Sequence, residues 1–116
     1  MAKIAVVVLS GNDDLGRANA GLHVAKRMHD ARQENGIDSV EVFLFTQGLR
    51  LVGERDSDAG RLIAELVVAG ISVGGCTNQL NNWGLAEAAK AMGVRAEFAR
   101  DAFSRFARDG YTVLTF

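Results

Sequence analysis

The chain has 116 residues, of which 48% are apolar and 23% charged, and its net charge is −1. That length corresponds to a single domain over 1–116, able to bury about two-thirds of its unfolded surface without a disulfide or metal staple. The near-neutral balance supplies no basic footprint for nucleic acid and no attraction to an anionic membrane surface, so neither is an expected partner.

Residues 3–9, "KIAVVVL", form an apolar run of strand length, the pattern of a strand covered on both faces. The run is too short for a signal-peptide core with its cleavage site, or for a membrane span. With only one cysteine in the chain, the expected location is the reducing cytoplasm. "SGNDDLG" interrupts the strand, and a helix follows over 15–33, capped by Asp13 or Asp14. Gly21, Val24, Ala25, Met28 and Ala31 or Arg32 recur at helical spacing as its inward face. His23 and His29 fall in the charged stripe with Lys26, Arg27 and Asp30. Gly36 ends the helix.

A second strand spans 39–45, "SVEVFLF", and "TQGLRLVGERDSD" is a loop holding a short apolar turn. The next helix covers 58–69, capped by Ser57 or Asp58, with Leu62, Ile63, Leu66 and Val67 inward and Gly70 closing it. "ISVGG" over 71–75 is a short third strand, followed by a broken segment and a helix over 85–92 that Gly93 ends. Residues 94–99 form a weak fourth strand. A short helix over 100–110 then turns Phe103, Phe106 and Ala107 inward, and "YTVLTF" is the fifth strand. Proline is absent, so the 13 glycines supply the punctuation.

This alternation places the chain in the α/β class, as a three-layer α/β/α sandwich around a mostly parallel five-stranded sheet. Ligand sites in such sheets gather beyond the carboxyl ends of the strands, near the switch in strand order. Three segments reach that edge, and they hold Ser10, Gly11 and Asn12, then Gln47 and Gly48, then Gly75, Cys76, Thr77 and Asn78. No dinucleotide or P-loop fingerprint accompanies them. His23 and His29 are six apart on one helix and face different ways, so no metal is expected, and no cofactor. The acids of "NDDLG" serve either as helix caps or as a cation site. Arg95, Arg100, Arg105 and Arg108, interleaved with Glu97, Asp101 and Asp109, read as a mixed surface or part of an oligomer contact.

Cys76 admits two readings. Free cysteine packs well as a small buried hydrophobe. Here, however, it follows a buried strand, Gly74 and Gly75 permit a sharp turn before it, and "TNQL" after it can begin a helical turn whose N–H groups favour a thiolate. No second cysteine is available for a redox pair, and no hydrolytic motif surrounds it. A lone thiol of this kind suits carrying a group better than cleaving a bond.

In order and spacing, "KIAVVVLSGNDD", "VEVFLFTQGLRLV", "AGISVGGCTNQL", a "GL…A…MGV" segment and the final "YTVLTF" resemble the DsrE/DsrF-like family of small sulfur-relay proteins. The resemblance runs over nearly the whole chain. It implies the DsrEFH-like form of the sandwich, assembled as a homo-oligomer (trimer or hexamer). It also implies a cysteine after the third strand, here Cys76, that takes sulfane sulfur as a persulfide from a donor protein and passes it to an acceptor. The segment "LNNWG" departs from the pattern that many relay members show after this cysteine. The alternative is a non-catalytic binding or assembly module in which Cys76 is structural and Ser10, Asn12, Gln47 and Asn78 hold an anionic or nucleotide-like ligand. Trp83 is read as buried or as a subunit contact, in preference to stacking on a ligand.

Overall fold

The computed structural model describes residues 2–116. Its strands are β1 (Ala2–Val8), β2 (Ile37–Leu44), β3 (Ser72–Cys76), β4 (Arg95–Glu97) and β5 (Tyr111–Thr115). All pairings are parallel, in the order β4-β3-β2-β1-β5. The main helices are α1 (Leu15–Asp30), α4 (Asp58–Val68), α6 (Ala86–Met92) and α7 (Ala99–Arg108), with short helices α2 (Arg32–Asn35), α3 (Gln47–Arg50) and α5 (Thr77–Asn82). Among the described residues, no helix is long and apolar enough to cross a membrane.

Register and side-chain alternation divide the sheet into two unlike faces. One face carries Val6, Val8, Val42, Leu44 and Val73, all buried, beneath α1 and α4. The other carries Ala5, Val7, Glu41, Phe43, Arg95 and Glu97 beneath α7. The chain steps from β1 to β4 in one direction, and α7 then carries it back across the second face to β5. The switch in strand order therefore lies between β1 and β5.

Asp14 caps α1 by accepting from the Arg17 N–H, and Ser57 caps α4 by accepting from the Gly60 N–H. The long helix expected over 15–33 breaks at Ala31 (φ −95°, ψ 11°), and α2 is a separate turn. Leu22, not Val24, completes the fully buried face of α1 with Ala18, Gly21 and Ala25. The loop after β2 folds into α3 and a 3-10 turn, Leu51–Gly53, which bury Leu49, Leu51 and Val52. In α7 the buried residues are Ala102 and Phe106. Phe103 is 38% exposed and Ala107 faces solvent, because a lone helix on an open face covers only a narrow strip.

Candidate functional site

Cys76 is the last residue of β3 and the N-cap of α5, with extended backbone (φ −66°, ψ 119°). Register pairs it with Glu97 of β4 and puts it on the α7 face. It is 4% exposed and belongs to the apolar core. The two glycines before it make room for packing. A Cβ on Gly75 would meet Leu49 Cδ1 at 2.5 Å, and one on Gly74 would meet the Arg95 guanidinium at 2.9 Å. Their small size thus admits a leucine on one face of the sheet and an arginine on the other.

The other edge residues converge, but largely on one another. A Cβ on Gly48 would lie 2.1 Å from the Val8 carbonyl oxygen, and one on Gly11 would lie 2.2 Å from that of Gln47, so the first two loops touch backbone to backbone. The Phe116 carbonyl accepts from the N–H groups of Leu9 (2.8 Å) and Ser10 (3.2 Å), occupying donors at the switch point. Asp13 accepts from the Gly11 N–H, and the Asn12 amide donates to the Glu54 carboxylate. Thr46 adopts φ 55°, uncommon for a β-branched residue. Its N–H donates to Gln79 Oε1 at 2.8 Å, and its hydroxyl lies within hydrogen-bonding reach of the Leu9 and Phe45 carbonyls. Ser10, Gly11, Gly48 and Gly75 are buried, whereas Asn12, Gln47 and Asn78 are exposed and Thr77 is half-buried. Asn78 lines a surface cavity of about 320 Å³ with Phe98, Ala99 and Arg100, close to the end of β4.

The strongest polar constellation is one the sequence reading dispersed over a mixed surface. Glu41, buried in mid-strand, accepts from both Arg95 and Arg105. Glu97 accepts from Arg95 Nη1 at 2.6 Å and from Arg105 Nη2 at 2.9 Å, and Arg95 Nε donates to Ser72 Oγ at 2.8 Å. The Arg105 hydrogen bond, reinforced by Arg95, holds the Glu97 carboxyl below its ordinary range against the opposing effect of burial. Glu41, with Glu97 second, raises the Arg105 guanidinium further above its already high value. These residues line an open cavity of about 340 Å³. Two carboxylates and two guanidinium groups balance, so the cluster binds itself and ties β2, β4 and α7 together. The signal for it was Glu41 in "VEVFLF": a carboxylate in a strand meant to be buried calls for a cationic partner.

Trp83 is half-buried against the core, and the Arg50 guanidinium lies 3.8 Å from its ring centroid, so that face of the ring is already occupied. His23 is exposed, and Arg32 approaches His29 Nε2 at 3.1 Å. Among the described residues, no three His, Cys, Asp or Glu side chains are placed to hold a metal ion.

No family model matches the chain, and no curated protein matches it. Solved structures do match in fold. The Bacteroides thetaiotaomicron protein BT1422 superposes with a TM-score of 0.73 at 16% identity, over 98% of this chain and 94% of that one. The Methanobacterium thermoautotrophicum protein MTH1491 gives 0.72 at 18% identity, over the full length of both chains. Both are described as proteins of unknown function, and at these identities the likeness establishes the fold alone.

Proposed function

We propose that this protein is a small cytoplasmic sulfur carrier that holds sulfane sulfur on Cys76, in the manner its DsrE-like sequence features imply. The supporting observation is the position of the chain's single thiol, at the carboxyl end of a central strand and the head of α5. The first N–H groups of a helix lack intrahelical partners and favour an anion there. In loading, the Cys76 thiolate attacks the outer sulfur of a donor persulfide. A bond forms between Sγ and that sulfur, the donor S–S bond breaks, and the donor leaves as a thiolate. The transferred sulfur keeps its proton and its oxidation level. An acceptor thiolate then attacks the same outer sulfur, and Cys76 departs as thiolate. At 4% exposure the sulfur is reached only when the edge opens locally, so loading is expected to be slower than at an exposed thiol. The same reading includes a homo-oligomer, trimer or hexamer, that meets donor and acceptor proteins.

A second reading is favoured by that same burial: Cys76 packs the core of a non-catalytic binding or assembly module. Intact-mass analysis after exposure to a persulfide donor separates the two. The carrier gains about 32 Da per chain, and Cys76→Ser does not. If the native thiol stays unmodified and resists a thiol reagent until the chain is unfolded, the carrier reading is wrong. In that case Cys76→Ala is expected only to cost about 1 kcal/mol of stability.

A further inference from the structure

The two edges of the sheet are built differently. β4 is three residues long and carries Arg95 and Glu97, two devices by which a sheet edge avoids pairing with other chains. β5, at the opposite edge, is "YTVLT", with no charge, no proline and no bulge against β1. Thr112, Val113 and Thr115 are exposed, Val113 by 44%. Among the described residues, no strand pairs with the outer side of β5.

Backbone orientation sharpens the contrast. The Phe116 N–H donates to the Val7 carbonyl at 3.0 Å, and the Phe116 carbonyl accepts from Leu9. In a parallel pair alternate residues turn to the same neighbour, so 112, 114 and 116 face β1. The amides and carbonyls of Tyr111, Val113 and Thr115 therefore face outward, with Val113 at their centre.

We propose that β5 is a self-association strand, pairing antiparallel with β5 of a second copy of this chain across a twofold axis through Val113. In that register Val113 opposes itself, and Tyr111 opposes Thr115 in both directions. Each outward amide then meets an outward carbonyl, as in the hydrogen-bonded pairs of an antiparallel ladder. Val113 meets Val113, Tyr111 meets Thr115 and Thr112 meets Leu114, all uncharged, so no like charges meet. Because residues 111–115 carry no charge, a second copy pairs without like-charge repulsion and without a foreign sequence. Such an isologous contact closes on itself and leaves no free edge at β5 for further growth. The proposal concerns the assembly part of the reading above: a twofold contact fits its hexamer and stands against its trimer, and it is independent of Cys76.

Native mass spectrometry and light scattering of the full chain at micromolar concentration test it. The expected species is a dimer, or an even-numbered assembly containing one. Val113→Lys places like charges on the axis and should give a monomer at low salt with unchanged circular dichroism. Mixing Val113→Lys with Val113→Glu should restore a one-to-one dimer, because residue 113 faces itself. Val113→Pro deletes an outward N–H while sparing the β1 ladder, and should weaken the dimer by about tenfold or more. A monomeric wild type, a trimer, or an assembly that survives Val113→Lys would overturn the proposal. A trimer would leave the oligomer expectation standing, and sulfur loading of Cys76 is read separately by mass.

Discussion

On one side of the sheet, Val6, Val8, Val42, Leu44 and Val73 meet α1 and α4 and, among the described residues, no ionisable group is buried with them. On the other, Ala5, Val7 and Phe43 share a single helix with Glu41, Arg95, Glu97 and Arg105. The difference follows from cover. Five strands span about 20 Å, and one helix with its side chains is about 10 Å across, so α7 leaves a flank of its face open. A fully roofed face can be apolar throughout. A half-roofed face needs groups that tolerate water, and here they form a neutral four-charge cluster beside an aromatic anchor.

The largest expected effect tests that anchor. Phe43 is fully buried and lies near Phe45, Phe103 and Phe106, with ring centroids 5.5 Å apart from Phe103. Phe43→Ala should cost about 3–5 kcal/mol in urea unfolding. A cost typical of a surface change would mean that α7 is not held by this packing, and the contrast between the faces would collapse.

Next comes the charge cluster. Glu41→Ala leaves Glu97 as the one carboxylate of the cluster for two arginines that are only partly exposed, 36% for Arg95 and 25% for Arg105. Allowing for solvent screening, the loss is expected to be about 2 kcal/mol. A double-mutant cycle with Arg105→Ala should return a coupling of about 1 kcal/mol or more, and additivity would show that the four charges do not act as a unit.

The smallest effect is on acid stability. The folded Glu97 carboxyl titrates below its ordinary value of 4.5. Its contribution is therefore fully present above that pH and is lost as pH falls through the depressed folded value. Glu97→Gln should flatten this part of the acid loss. On the opposite face Asp30, held low by its hydrogen bond from Lys26, shifts in the same direction while exposed, so Asp30→Asn should change the profile less. Equal effects would remove the distinction between the faces.

The alternation of β-branched runs with amphipathic helices made the layers legible, because "KIAVVVL" and "SVEVFLF" need cover on both sides. It did not reveal how unevenly that cover is shared, since a hydrophobic period says that a helix has an inner face and not how wide its roof is. Phe103 was expected inward and is 38% exposed for this reason. The carboxyl edge was legible as the place to look for Ser10, Gly11, Gln47 and Gly48, whose loops meet there, while Cys76 lies at the end of β3 opposite Glu97. The close backbone approaches at Gly11 and Gly48, and the Phe116 carbonyl over the β1 loop, were not, because they depend on long-range contacts without a local pattern. The same holds for the Glu41–Arg105 contact, which joins residues 64 apart.

The backbone of Thr46 bears on the order of events in folding. Its positive-φ conformation (φ 55°, ψ −127°) is held by Leu9, just past β1, and by Gln79 in α5, beyond β3, so its support exists only once those strands have aligned. A strained turn of that kind is expected to close late, after the sheet has formed. Interactions made after the transition state slow unfolding and leave the folding rate unaltered. The same corner that crowds the carboxyl edge is therefore expected to act as a latch, contributing more to the lifetime of the native state than to the speed of reaching it.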